Sequence, residues 1–216
     1  MSKKARQLTD RDKAILTDLV RCRVLSFSQI KSAYWPTAEV RTCQDRLEKL
    51  RKAEYIKETT IRAERPGRWM KVYFLDLKGK KWATGPEGGF DKKAVFTHPG
   101  KFGEILHQIR TNEIYYRLTE KERSTWKIGD VIEAERGVYK GGGGIETPDA
   151  SYISDGGDEI YVETDVGCYT SRQVKEKADS FGDKKNIWVC PENRRGFLIK
   201  HGARGEFFTY SYLLNL

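Results

Sequence analysis

The sequence predicts an α+β (or α/β) chain in two parts. Short helices closed by a β-hairpin come first, and a mixed β-sheet flanked by helices follows. Three observations carry this reading. Charge is divided unevenly: residues 1–100 hold 23 Lys/Arg against 12 Asp/Glu, and residues 101–216 hold 17 against 19, within a net charge of +9. Apolar residues recur at helical spacing three times before residue 52 and then switch to strand-like runs. Beyond residue 101 the pattern runs helix, strand, strand, strand, helix, strand.

The elements of the first part follow from local chemistry. In "LTDRDKAILTDLVRCR", Thr9 is a helix N-cap with Asp10 and Asp12 in the first turn, and Ile15, Leu16, Leu19 and Val20 form a core stripe. Ser26 or Ser28 caps a second helix carrying Ile30. In "TAEVRTCQDRLEKLRKAEYI" the stripe is Val40, Cys43, Leu47 and Leu50, and Arg41, Thr42, Asp45, Lys49 and Lys52 lie opposite. Two β-rich runs then flank "ERPGRW", where Pro66-Gly67 marks a turn. This order is that of a winged helix-turn-helix domain, expected over residues 1–85, with residues 86–100 as linker and 101–216 as the second domain. The third helix would enter the major groove of double-stranded DNA. Arg41, Thr42, Lys49 and Lys52 would lie on its reading face, and the hairpin would bring Arg62, Arg65, Arg68 and Lys71 to the backbone. Neutralising phosphates releases counterions, so an excess of +11 in this half favours a polyanion.

In the second part, "GEILHQIRTNEIYYRLTEKE" is expected as one helix buried through Ile105, Leu106, Ile109 and Leu118. His107 is expected to be a satisfied structural histidine. "TWKIGDVIEAERGVY" is expected as the first strand and "KGGGGIE" as a loop. Two strands, "DASYI" and "DEIYVETD", flank Gly156-Gly157. Strand alternation puts Tyr161, Glu163 and Asp165 on one face, and pairing would bring Asp149 near them. Three carboxylates together repel, and a divalent cation gives a reason to gather them. Asp149, Glu163 and Asp165 are therefore the expected metal ligands, for Mg²⁺ or Mn²⁺. Glu113 and Glu135 are weaker candidates. Thr170 or Ser171 caps the next helix, from which Lys177, or next Lys175, would lean toward the acids. "NIWVC" is an apolar strand, and "GEFFTYSYLLNL" adds a strand or helix.

Pro148-Asp149 followed by Glu163-x-Asp165, in this element order, resembles the restriction-endonuclease-like nucleases. Their pattern is Pro-Asp, then Asp/Glu-x-Lys, with acids that hold metal and a lysine that positions water. Here Asp165 stands at the lysine position, and members that move the basic residue to the following helix make Lys177 the equivalent. More broadly, "LTDRDKAILTDLVRCRVLSFSQI", "KVYFLDLKGKKWA", "LHQIRTNEIYYRL" and "PDASYI…YVETDVG…KEKADSF" resemble the plasmid and phage replication-relaxation family. That resemblance implies a protein of a mobile element that nicks or relaxes DNA in replication or transfer. The expected catalytic set is Asp149, Glu163, Asp165 and Lys177. The alternative is a non-enzymatic initiator or regulator whose nuclease-like half is a degenerate dimerisation module, and a homodimer fits either reading.

Other classes find no motif. No nucleophile elbow, HExxH helix or Walker loop occurs, and no small-molecule substrate is implied. Four dispersed cysteines give no zinc spacing. The basic N-terminus lacks an apolar core and no run is long enough for a membrane span, so no membrane partner and a cytoplasmic location are expected.

Overall fold

The computed structural model describes residues 7–63, 68–137 and 146–210. The chain divides into two compact units at Gly100–Lys101. The class is mixed α+β, with one sheet in each unit.

The first unit runs α1 (Asp10–Cys22), β1 (Leu25–Ser26), α2 (Phe27–Tyr34), α3 (Val40–Lys52), β2 (Ile56–Arg62), β3 (Trp69–Leu75) and α4 (Leu77–Ala83). Its helix starts are locally encoded. Thr9 and Asp12 form a reciprocal capping box on α1, and Ser26 and Gln29 form another on α2. The antiparallel sheet has the order β1-β3-β2, with Arg62 opposite Trp69. Ile15, Leu16, Leu19, Cys43, Leu47 and Leu50 are buried as expected, but Val40 is 49% exposed. It is the first residue of α3, before the stripe meets the core. Two ion-supported ties fix the helices. Arg46 of α3 bonds both carboxylate oxygens of the fully buried Asp12, and the Tyr34 hydroxyl donates to Asp18 at 2.6 Å. Helix α4 is an addition to the expected elements. Asp76 caps it, and Gly79 lets it lie against the Tyr55 carbonyl, where a Cβ would overlap the backbone. Residues 86–100, expected as a linker, group with this unit: Phe90 donates to the Ala83 carbonyl, Arg23 to the His98 carbonyl, and Val95 is buried.

The second unit runs α5 (Phe102–Tyr115), α6 (Glu120–Thr125), β4 (Lys127–Ile128), α7 (Gly129–Arg136), β5 (Ala150–Ile153), β6 (Glu159–Thr164), α8 (Ser171–Phe181), β7 (Lys185–Pro191), α9 (Arg195–Lys200) and β8 (Glu206–Tyr210). The sheet order is β4-β5-β6-β7-β8. The pairs β4/β5 and β5/β6 are antiparallel, and β6/β7 and β7/β8 are parallel. The β6–β7 crossover is α8, whose Val174 and Phe181 pack with Tyr161, Trp188 and Cys190.

Two expectations fail here for local reasons. The single helix expected from residue 103 is two, because Thr119 adopts extended backbone and starts α6 with a capping box to Glu122. The expected first strand is only Lys127–Ile128. Gly129 bonds the Asp149 carbonyl, and the good helix formers Glu133, Ala134, Glu135 and Arg136 then coil into α7 until left-handed Gly137 ends it. Glu135 thus sits on a helix, exposed and paired with Lys127 at 2.6 Å. Most of "KGGGGIE" and the last six residues of the tail lie outside the described residues.

Candidate functional site

The site in the second unit forms at the mouth of β5 and β6, beside the change from antiparallel to parallel pairing. Ala150 is paired with Val162, so one step further sets Asp149 across from Glu163. Glu163 is fully buried, and its side chain faces α8. There Lys177 Nζ reaches Glu163 Oε1 at 3.1 Å, Glu146 Oε2 at 3.2 Å and the Thr147 carbonyl at 2.9 Å. The Tyr169 hydroxyl donates to the same Glu163 Oε1 at 2.5 Å. Asp149 faces α5. Its Oδ2 accepts the Thr164 N–H at 2.7 Å and lies 3.1 Å from His107 Nε2, which also meets the Thr164 carbonyl at 2.9 Å.

Asp165 does not join them. It follows the last residue of β6 and continues the ladder, its N–H donating to the Val189 carbonyl at 2.8 Å. Its Oδ1 accepts the N–H groups of Gly167, Cys168 and Tyr169, and its Oδ2 takes Arg194 Nε at 2.8 Å. Both oxygens are spent on holding a turn, so the expected three-acid cluster is two acids. Among the described residues no group of three or more His, Cys, Asp or Glu is arranged to hold a metal ion. Asp149 and Glu163 lie across from one another in the strand register, and both present hard carboxylate oxygens, of which Mg²⁺ often takes one or two with water and phosphate completing its shell.

The electrostatics show how tightly the two acids are coupled. Burial, then the charge of Asp149, push Glu163 up to about 8, against the pull of Lys177 and Tyr169. Burial would also raise Asp149, but the charge and hydrogen bond of His107 outweigh it and hold the carboxyl below its ordinary value. His107 gains in return. Burial opposes its charge, yet Asp149 raises it to about 9, so it is a cation at neutral pH. Burial opposes the charge of Lys177 as well, and Glu163 and Asp149 reverse that and raise it.

Of the other expected positions, Lys175 is exposed on α8, whereas Lys177 on the same helix meets Glu163. Glu113 is half-buried on α5.

In the first unit, Arg41, Thr42, Lys49 and Lys52 are all exposed on α3. Two of them have acidic neighbours, with Arg41 4.0 Å from Asp45 and Lys52 3.4 Å from Glu48. Arg62 and Arg68 are exposed at the ends of β2 and β3, and Lys71 pairs with Glu58 at 2.9 Å. Arg65 and Pro66-Gly67 lie outside the described residues.

Four contributors escape sequence reading. Trp69, opposite Arg62, is 68% exposed, and an aromatic beside arginines at a turn is a usable signal. Arg46 looks like one more basic residue of a solvated helix face. Tyr169 and Arg194 act from a loop and a 3-10 turn, where no periodicity marks them.

A sheet with helices around it and a buried ionic cluster at its strand ends defines the second unit of an α+β protein. The chain belongs to the replication-relaxation family, whose model matches residues 16–184. That membership gives it a replication-related role. No curated protein matches it. No helix among the described residues is long and apolar enough to cross a membrane.

Proposed function

We propose that this chain is a double-stranded-DNA-binding protein of a plasmid or phage, whose second unit is a metal-dependent nicking site of the restriction-endonuclease-like type. The observation that carries the reading is the meeting of Asp149, Glu163 and Lys177 from two adjacent strands and the following helix. With α6 and α7 inserted on either side of the two-residue β4, the remaining order α5, β4, β5, β6, α8, β7, with the last strand parallel to β6, supports the same type. In the first unit, helix–strand–helix–helix–hairpin order supports a winged helix-turn-helix, with α3 in the major groove and the hairpin on the backbone.

Asp149 and Glu163 would hold Mg²⁺ or Mn²⁺, which when bound supplies charge stabilisation on the phosphate and a more acidic water. His107 fixes Asp149 from α5 and Tyr169 fixes Glu163 from the loop. Lys177 places a positive charge beside the acids, where it orients the attacking water and offsets charge on the phosphate. Exposed Arg62, Arg68 and Trp69 would grip the duplex, the arginines at phosphates and the indole against sugar.

A second reading has its own observation. Each acid already has a cation: His107 for Asp149, Lys177 for Glu163, Arg194 for Asp165. A cluster neutralised in this way suits a non-enzymatic binder whose second unit serves dimerisation. Supercoiled plasmid with Mg²⁺ or Mn²⁺ separates the two. Nicking by the native chain that is lost in Asp149→Ala and Glu163→Ala supports cleavage. Intact DNA binding with neither nicking nor metal binding by calorimetry leaves the binder.

A further inference from the structure

The turn between β6 and α8 is held by one buried pair. Asp165 is fully buried, and its Oδ1 gathers the N–H groups of Gly167, Cys168 and Tyr169 at 2.8, 2.9 and 3.1 Å. Arg194, from the 3-10 turn after β7, closes that turn from the neighbouring strand end. Its Nε donates to Asp165 Oδ2 at 2.8 Å, its Nη2 donates to the Tyr169 carbonyl at 2.7 Å, and its guanidinium lies 4.0 Å from the centre of the Phe197 ring. A planar fork of donors can meet a carboxylate and a carbonyl at once in fixed geometry. The ammonium of a lysine is a single point of charge on a flexible stem and cannot.

Both the N–H and the carbonyl of Tyr169 are therefore fixed, one by Asp165 and the other by Arg194. The side chain that leaves this fixed backbone ends on Glu163, where its hydroxyl donates to Oε1 at 2.5 Å. Lys177 meets the same oxygen at 3.1 Å, so donors from the loop and from α8 together set the orientation of the carboxylate. Carboxylates that hold metal ions are oriented by hydrogen bonds of this kind, and affinity falls when those bonds are removed. Resting on the metal reading of Asp149 and Glu163, we propose that Arg194 is a positioning residue of that site. With Asp165 it holds the backbone of Tyr169, and the phenol then orients Glu163 for Mg²⁺ or Mn²⁺. Asp165, which stands at the lysine position of the restriction-endonuclease-like pattern, thereby serves the site without touching the metal.

Mn²⁺ affinity, measured by calorimetry on the full chain without DNA, separates positioning from mere stability. Tyr169→Phe should weaken Mn²⁺ binding by ~10–100-fold. Arg194→Lys keeps a positive charge near Asp165 but loses the fork, and should weaken Mn²⁺ binding by at least ~10-fold. The double variant Tyr169→Phe with Arg194→Lys should bind Mn²⁺ no more weakly than Tyr169→Phe alone, because Arg194 acts through the phenol. Urea unfolding should show the stability loss from Arg194→Lys in both backgrounds, so stability and affinity part company. If circular dichroism shows that Arg194→Lys does not fold, Asp165→Asn takes its place with the same expectations, since the amide oxygen can still accept the three N–H groups. Unchanged Mn²⁺ affinity in the folded single variant overturns the proposal, because the pair would then serve stability alone. Losses that add in the double variant overturn it too, because Arg194 would then reach the metal by another route. A native chain that binds no Mn²⁺ up to ~10 mM removes the metal reading and this inference with it. Native binding that Arg194→Lys leaves unchanged removes this inference alone.

Discussion

The candidate sites of the two units use charge in opposite ways. In the first, Arg41, Lys49, Lys52, Arg62 and Arg68 stand in solvent, and the acids near them are exposed or half-exposed. Such pairs contribute little to stability and are screened by salt. In the second unit, Asp149, Glu163 and Asp165 are enclosed, and each is matched by a cation and by backbone or hydroxyl donors. Buried charges of that kind are costly to break and barely screened. The same residue types thus give a salt-sensitive surface at one site and a salt-insensitive interior at the other. The contrast is one of placement, since α3 and the hairpin project their long side chains outward while the ends of β5 and β6 converge.

The largest test of the interior is catalytic. Asp149→Ala and Glu163→Ala should abolish plasmid nicking, and Lys177→Ala should reduce it by roughly 10²–10⁴-fold, measured as nicked product over time. Lys175→Ala, about half a helical turn away and exposed, should leave nicking within a factor of about two, far below that catalytic range. Loss in Lys175→Ala comparable to that in Lys177→Ala would undo the assignment of the lysine.

Stability comes next. Arg194→Met would leave the fully buried Asp165 Oδ2 without its cation, a change of about 3–5 kcal/mol. Urea unfolding at low and at moderate NaCl should show the same loss at both. A loss that shrinks with salt would mean the pair behaves as a surface contact. Gly79→Ala should also destabilise, by about 1–3 kcal/mol of overpacking, because the added Cβ meets the Tyr55 backbone.

On the exposed side, Arg62→Ala with Arg68→Ala should weaken binding to mixed duplexes about equally. The slope of log K against log salt should become shallower by roughly 0.9 for each phosphate that is no longer neutralised. Trp69→Ala should weaken binding without changing that slope, because an indole releases no counterions. Fluorescence anisotropy at several salt concentrations reads both. A changed slope in Trp69→Ala would place the residue in support of an arginine instead of against DNA.

How far the sequence discloses all this follows the same division. Helix stripes and caps are short-range, so Thr9, Ser26 and Thr170 mark real helix starts, and the apolar periods of α1 and α3 place the core. Lys177 is legible because helical spacing puts it at the edge of the Val174 face. Asp165 misleads because its oxygens are taken by the N–H groups of Gly167, Cys168 and Tyr169 and by Arg194, partners that strand alternation does not disclose. The length of β4 misleads because apolar residues in "KIGDVI" fit a strand or a helix, and only the bond of Gly129 to Asp149 decides. The pairings His107–Asp149 and Arg194–Asp165 join residues 42 and 29 positions apart, and such contacts leave no local pattern.

The smallest expected effect is the pH dependence of stability, and the interior predicts its sign. Glu163 is raised from 4.5 to about 8 and His107 from 6.5 to about 9, so the native state holds both protons more tightly than the unfolded chain. Their contributions are complete below pH 4.5 and 6.5 respectively, and are lost as pH rises through about 8 and 9. Asp149, held below its ordinary 3.8, has the opposite dependence and loses its contribution only as pH falls below that range. The thermal midpoint in EDTA should therefore fall between pH 6.5 and 9, by about 2–4 °C for each kcal/mol of stability removed. Glu163→Gln should remove the earlier part of the fall and keep the part due to His107, whereas His107→Gln should remove the later part. Substitutions of exposed Lys49 or Lys52 should leave the profile unchanged, since those groups stand in solvent in both states. A native profile flat from pH 6.5 to 9 would mean that the acids and His107 do not share the buried cluster, and the contrast between the two units would reduce to one of exposure alone.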